Sequence, residues 1–269
     1  MATALITGGT SGIGAAFARQ LAAAGVDLVL VARNHERLET AAATLHSDSG
    51  INVEILQADL SDRADVARIV ARIEDPEHPV DMLINNAGAG VHTKLTAPDT
   101  AIHEHAFDVM CRAVLVLGGA AGRSMRERGH GAILNVSSLQ GLMTTGSYSA
   151  MKAWVTAYSQ SLGVELRGTG VTVTALLPGW VSTEWHERAG VRTSSIPDWL
   201  WSDPDRVARV ALRDLERGRA ISIPMARYRV IGWFLRHAPR SVIRKISAAI
   251  SSRRSEPAPR PVVKADDAR

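Results

Sequence analysis

A single cysteine, Cys111, stands in 269 residues, so no internal disulfide can form and the usage fits a reducing compartment. Cys111 also lacks cysteine or histidine partners at ligand or nucleophile spacing. It reads as a small buried apolar residue, and no metal site is expected. Long apolar runs are absent too. With 46% hydrophobic and 22% charged residues, no stretch is predicted to cross a bilayer, and the chain reads as soluble. Met1–Ile6 leads straight into a glycine turn, which leaves no room for the charged and apolar regions of an export signal. A cytoplasmic location is the expectation. No internal repeat or linker divides the chain, whose length suits one α/β domain or two small ones.

Acidic residues are missing from one long window. Between Arg217 and Ser255 there are ten Lys and Arg and neither Asp nor Glu, which leaves 21 basic residues against all 27 acidic ones elsewhere. The formal charge of +4 is therefore a local basicity on a mildly acidic body. A nucleic-acid surface would add base-stacking aromatics or a recognisable motif to such a patch. Neither is found, and no nucleic-acid partner is expected.

What the chain does have is alternation. Strand Ala2–Thr7 ends in Thr7-Gly8-Gly9-Thr10-Ser11-Gly12-Ile13-Gly14, and helix Ala15–Ala24 follows. Glycines let a backbone approach a pyrophosphate, and a helix N-terminus supplies unpaired N–H groups and a positive dipole end. Strand Asp27–Val31 closes in Ala32-Arg33-Asn34 before helix His35–Leu45. An acidic residue at this strand end would bind an adenosine ribose and repel a 2′-phosphate; Ala32 holds that position and Arg33 follows it. The pattern favours NADP(H) over NAD(H), the other reading of Arg33 being a solvated helix-start residue. Strand Asn52–Gln57 with Ala58-Asp59-Leu60, helix Asp62–Ile73, and strand Val80–Ile84 with Asn85-Asn86-Ala87-Gly88 continue the series. Asp59 reads either as an acceptor for an adenine amino group or as a turn cap, and the Asn-Asn-Ala-Gly turn as a brace for the central strands. Then come a helical region near 101–128, strand Ala132–Val136 with Ser137-Ser138, and strand Val171–Leu177 with Pro178-Gly179-Trp180-Val181-Ser182-Thr183. Strands alternating with helices predict a doubly wound Rossmann-type α/β domain: a mainly parallel sheet with helices on both faces.

Tyr148 and Lys152 lie four residues apart on a predicted helix, and so on one face of it. A free phenol titrates near ~10, too high to exchange protons readily at neutral pH, and a neighbouring ammonium lowers that value. The spacing alone is common in helices; its context gives it weight.

Taken together, Thr7-Gly8-x-x-x-Gly12-x-Gly14, Asn85-Asn86-Ala87-Gly88, Ser138, Tyr148-x-x-x-Lys152 and Pro178-Gly179 resemble the short-chain dehydrogenase/reductase family over about residues 2–183. The resemblance implies that Tyr148 is the acid for ketone reduction and the base for alcohol oxidation. Ser138 would hydrogen-bond the substrate oxygen, and Lys152 would bind the nicotinamide ribose and lower the Tyr148 pKa. Gly8, Thr10, Ser11, Gly12, Ile13 and Gly14 would cradle the cofactor, with Arg33 at its 2′-phosphate. Asp59, Leu60, Asn85, Asn86, Ala87, Gly88, Pro178 and Gly179 would line its cleft, and Thr183 and the backbone at Val181 would hold the carboxamide. The resemblance also implies a homodimer or homotetramer through the two long helices.

Two departures stand out. Met110 occupies the position where the family places an asparagine that helps hold a water leading from the lysine to solvent, and a thioether donates no hydrogen bond. Ser138 and Tyr148 are ten residues apart, about three fewer than usual for the family, which leaves Ser137 or Ser147 as alternative hydroxyls.

The resulting expectation is an NADP(H)-dependent oxidoreductase interconverting a carbonyl and a secondary alcohol on a hydrophobic small molecule. The alternatives are a 3-oxoacyl-thioester reductase and a cofactor-binding sensor or scaffold with impaired turnover. Residues 1–225 form the catalytic domain, with a substrate flap about 180–203 carrying Trp180, Trp185, Trp199 and Trp201 either as an apolar lid or as its own packing. A helix follows Asp203 to about Arg217, then a strand over Ala220–Ile223. Residues 226–255 form a basic helical extension, read as a peripheral membrane surface, a subunit contact or a solvated helix pair. Residues 256–269 are expected to be disordered.

Overall fold

Leu28-Val29-Leu30-Val31 is buried along its whole length, the pattern of a strand covered on both faces. The strands around it repeat that pattern, and the computed structural model, which describes residues 2–88, 90, 91, 93–182 and 197–251, shows why. Seven parallel strands form one sheet in the order β3-β2-β1-β4-β5-β6-β7. They are β1 (Thr3–Thr7), β2 (Asp27–Ala32), β3 (Val53–Gln57), β4 (Met82–Asn85), β5 (Gly131–Val136), β6 (Val171–Leu176) and β7 (Ile221–Ser222). This is the expected Rossmann-type α/β domain. The expected tail 256–269 and flap residues 183–196, Thr183 and Trp185 among them, lie outside the described residues.

One face of the sheet carries α1 (Gly12–Ala23), α2 (His35–Ser49) and α7 (Pro204–Glu216). Their core includes Phe17, Leu21, Leu38, Val207 and Leu215. The other face carries α3 (Arg63–Ile73), α5 (Ala113–Arg128) and α6 (Ser147–Glu165), with Ile69, Ile73, Leu117, Met125 and Leu162 in the core. Capping follows local chemistry: the Asn34, Asp62 and Asp203 side chains accept backbone N–H groups at the starts of α2, α3 and α7.

Several boundaries differ from the sequence reading: α2 runs on to Ser49, and β4 starts at Met82. Helix α1 begins at Gly12 rather than Ala15, so the glycines lie within its first turn. The region near 101–128 is a helix from Ala101 to Arg128 interrupted by a π-turn. It comprises α4 (Ala101–Phe107), the turn Asp108–Arg112 and α5. By length and a mean hydropathy of 1.2 this helix is long enough to cross a membrane, contrary to the expectation that no run would be. More than half of its most apolar window is buried inside the fold, as in a core helix.

After β3 the chain returns to the centre, where β4 pairs with the free side of β1. The crevice at the carboxyl ends of β1 and β4 is the topological switch point of the sheet, where such folds bind ligands. Two further helices, α8 (Ala226–His237) and α9 (Arg240–Ser251), follow β7.

Candidate active site

The strand ends surround a cleft of about 700 Å³. At its floor, the glycine turn and the Asn-Asn-Ala-Gly turn lock together. The Thr7 hydroxyl accepts from Asn86 N at 3.0 Å and Ala87 N at 3.1 Å, while Asn86 Nδ2 donates to the carbonyls of Thr7 (2.9 Å) and Gly8 (3.1 Å). The packing leaves no room for side chains. A Cβ on Gly14 would sit 2.2 Å from the Gly8 oxygen, so Gly14 lies behind the turn rather than on the cleft. Gly8, Thr10, Ser11, Gly12 and Ile13 line the cleft itself. Ser11 caps α1 without a side-chain bond, which leaves the first-turn amides to meet an anion.

Asn85, expected on the cleft, is turned away from it. It is buried between strands, its Nδ2 donating to Asn135 Oδ1 at 2.9 Å, and Asn135 in turn donates to Ser159. The alternating pleat of β4 sends Asn85 into the sheet layer, while the turn after it presents Asn86, Ala87 and Gly88 to the cleft.

At the far end, Arg33, Asp59 and Leu60 line the wall with Asn34, Arg37 and His105. The last three were not singled out from the sequence. Arg37 follows Arg33 by four residues, a signal that was there to read; His105 arrives from a distant helix and has no local signal. Burial raises the Asp59 carboxyl, but hydrogen bonds from the Ser61 N–H and hydroxyl, with Arg33 and His105 nearby, hold it below the ordinary carboxylate range.

At the near end, Ser138 follows β5, and its hydroxyl is hydrogen-bonded to the Tyr148 phenol. Ser137 instead donates to the Lys152 carbonyl (2.6 Å), and Ser147 is engaged with His103 Nδ1 (2.8 Å), so neither replaces it. The short Ser138–Tyr148 segment works by close packing. The 3₁₀ turn Leu139–Leu142 lies directly on α6, and a Cβ on Gly141 would be 2.8 Å from the Lys152 backbone. Gly146, at φ +108°, then opens α6 one residue before Ser147.

Lys152 lies one turn beyond Tyr148. Its Nζ donates to the Val136 carbonyl at 2.7 Å and stands 5.8 Å from the Tyr148 ring centre. Burial pushes the phenol up to about 12, opposed only by the Ser138 hydrogen bond. Burial likewise pulls Lys152 down to about 8. The expectation that Lys152 lowers the Tyr148 pKa is therefore corrected for the cofactor-free site: desolvation outweighs the lysine, whose charge is turned to a backbone carbonyl. Behind Lys152, buried Met110 sits in the π-turn among Val91, Ala106, Cys111 and Met151. Pro178, Gly179 and Val181 close the remaining wall. Trp180 and Trp201 pack on each other at 6.0 Å between ring centres, whereas Trp199 is exposed.

Comparison with known proteins identifies the family and the fold. The family model for short chain dehydrogenases matches residues 2–192. A protein of Streptomyces violaceoruber, named for ketoacyl reduction in the granaticin polyketide synthase, is 34% identical over 84% of this chain and 80% of its own. A solved short-chain dehydrogenase from Sphingobium yanoikuyae in complex with NADPH superposes with a TM-score of 0.79 at 35% identity, covering 86% of this chain and 92% of that one. An alcohol dehydrogenase of Comamonas testosteroni, specific for bulky-bulky ketones, gives 0.75 at 30% identity, covering 87% and 91%.

Proposed function

The chain belongs to the short-chain dehydrogenase family, and from that premise we propose that it is an NADP(H)-dependent reductase of a hydrophobic ketone, with Tyr148 as its acid and base. The observation that carries the reading is the Ser138–Tyr148 hydroxyl pair beside Lys152 at the mouth of the dinucleotide-sized cleft. The residues present fit the cofactor. The uncapped first turn of α1 suits a pyrophosphate, and Arg33 and Arg37 at the far wall suit a 2′-phosphate. Val181, Pro178 and Gly179 line the cleft where the nicotinamide would lie, with Thr183 completing that wall as the resemblance implies.

When bound, the cofactor supplies or accepts the hydride. The protein's own work is at the oxygen. Ser138 Oγ, hydrogen-bonded to Tyr148 Oη, would join it as a second hydroxyl donor to the charge that develops on a carbonyl oxygen. Tyr148 Oη gives that oxygen its proton in reduction and recovers it in oxidation. Burial keeps Tyr148 protonated at neutral pH, the state an acid needs. Lys152 Nζ would bind the nicotinamide ribose, as the resemblance implies, and its positive charge there would make the phenolate less costly.

The test is NADPH oxidation against ketones, aldehydes and 3-oxoacyl thioesters of graded chain length, with Tyr148→Phe beside the wild type. Turnover should fall roughly 1,000-fold in the variant while NADPH binding stays within about twofold, because only the proton donor is lost. Preference for thioesters would select the activity for which the Streptomyces relative is named. Undiminished turnover in Tyr148→Phe, or tighter binding of NADH than NADPH, overturns the reading. Tight NADPH binding without turnover on any carbonyl would leave a cofactor-binding protein, the outcome that apolar Met110 behind Lys152 favours.

A further inference from the structure

Basic side chains are treated differently in two parts of this molecule. On the main body several are paired with carboxylates: Arg19 with Asp205, Arg68 with Asp65, Arg72 with Glu54, Arg112 with Asp108, Arg123 with Glu74. On α8 and α9, Arg229, Arg236, Arg240, Arg244 and Lys245 are exposed, and none has a carboxylate partner among the described residues. Apolar exposure accompanies them. Helix α8 buries Tyr228, Gly232 and Leu235 yet turns Val230 (69% exposed), Trp233 (65%) and Phe234 to the outside, and α9 adds Val242 and Ile250. Val230, Trp233 and Phe234 are spaced as one helical stripe.

We propose that α8 and α9 dock this protein on an anionic lipid bilayer, with Trp233, Phe234 and Val230 entering the headgroup boundary and the five cations on the lipid phosphates. Helices that lie on membranes combine these features: aromatic and aliphatic residues on one side, unpaired Lys and Arg around them. A second copy of the chain suits the face poorly, since a two-fold contact sets a patch against itself and would oppose two sets of like charges. A single-stranded nucleic acid would use Trp233 and Phe234 as stacking planes but would leave exposed Val230, Val242 and Ile250 without a role, whereas a bilayer takes up all five.

The placement gives the docking a use, which rests on the carbonyl reading above. Helix α8 is clamped to the near end of the cleft. The Tyr228 ring covers Gly179, its hydroxyl accepts from Trp180 N and donates to the Leu200 carbonyl, and Gly232 packs on Leu139, the residue after Ser138. Helix α9 joins through Ser247, which accepts from Thr144 N at 3.1 Å. A bilayer on this face would lie beside the substrate side of the cleft and hold hydrophobic carbonyl compounds near it.

The experiment is sedimentation of the full chain with phosphatidylglycerol/phosphatidylcholine vesicles and with phosphatidylcholine alone, across salt, followed also by tryptophan emission. Binding should require the anionic lipid and fall steeply with salt. Arg236→Gln, Arg240→Gln, Arg244→Gln and Lys245→Gln together should weaken it about a hundredfold or more. Trp233→Ser with Phe234→Ser should abolish binding and the emission shift. NADPH binding unchanged in both variants shows that they are folded, and it is read separately from turnover. No vesicle binding at low salt, or equal binding by the variants, overturns the proposal. So does a wild-type dimer that becomes a monomer with Trp233→Ser and Phe234→Ser, which would make the face a subunit contact. An affinity for a single-stranded oligonucleotide equal to that for vesicles overturns it as well.

Discussion

The two ends of the cleft are made of different material. The end proposed for the pyrophosphate is backbone: Gly8 and Gly12 at positive φ, carbonyls tied by Asn86, and a helix terminus. The end proposed for the carbonyl is side chains: Ser138, Tyr148 and Lys152, the last two with their pKa values moved by burial. A backbone site fails as a unit, because one added carbon displaces the chain. A side-chain site keeps its shape when one group is removed and loses only that group's chemistry.

The largest effect that tests this contrast is Gly14→Ala. The new Cβ would meet the Gly8 oxygen at 2.2 Å and Asn86 Nδ2 at 2.4 Å, neither of which can move without opening the turn. Overpacking of this kind costs roughly 1–3 kcal/mol or more. NADPH affinity should drop at least about a hundredfold together with a lower Tm, read by calorimetry and thermal unfolding. Gly119→Ala is the control, since its Cβ meets only the tip of Arg123 at 3.6 Å; it should leave both unchanged or raise stability slightly. Wild-type NADPH affinity in Gly14→Ala would break the contrast.

A smaller effect belongs to the far wall, where the backbone site is extended by side chains. Arg33→Ser with Arg37→Ser should weaken NADPH roughly ten- to a hundredfold, the worth of charge-assisted bonds to a phosphate, and change NADH by less than about twofold. Equal losses for both cofactors would mean that these arginines shape the wall instead of reading the 2′-phosphate.

The same contrast explains what the sequence made legible. Backbone requirements write themselves into a sequence locally: glycines at fixed offsets after a short buried strand, and caps such as Asn34 and Asp62 just before helices. The alternation of strands and helices and the bracing Asn-Asn-Ala-Gly turn were readable for that reason. Side-chain placement across the fold was harder. Asn85 and Asn86 are adjacent, and only the pleat decides that the first goes inward and the second to the cleft. His105 reaches the wall from the helix that starts at Ala101, a packing outcome with no local mark. The direction of the Tyr148 shift was misread because the spacing announces the lysine but not the burial. Desolvation depends on everything that covers the pair, including Met110 and its apolar neighbours.

Burial of Lys152 has its own signature in stability. Its pKa falls from 10.5 to about 8 in the folded protein, so above pH 8 the folded chain has released a proton that the unfolded chain still holds, and stability rises with pH. Cys111, raised from 9.0 to about 11, opposes this from pH 9 upward, and Tyr148, raised from 10.0 to about 12, opposes it from pH 10. In both of these the folded state keeps a proton that the unfolded state loses. The range from pH 7 to 9 therefore isolates the lysine. Over it the unfolding free energy of the cofactor-free protein should rise by about 1 kcal/mol, measured by urea unfolding, and Lys152→Met should flatten the rise. Saturating NADPH should shrink it too. A ribose hydroxyl accepting from Nζ favours the ammonium and returns its pKa towards the ordinary value. A wild-type slope that persists unchanged with NADPH would mean that Lys152 stays on the Val136 carbonyl in the complex, and that the two ends of the cleft do not communicate through it.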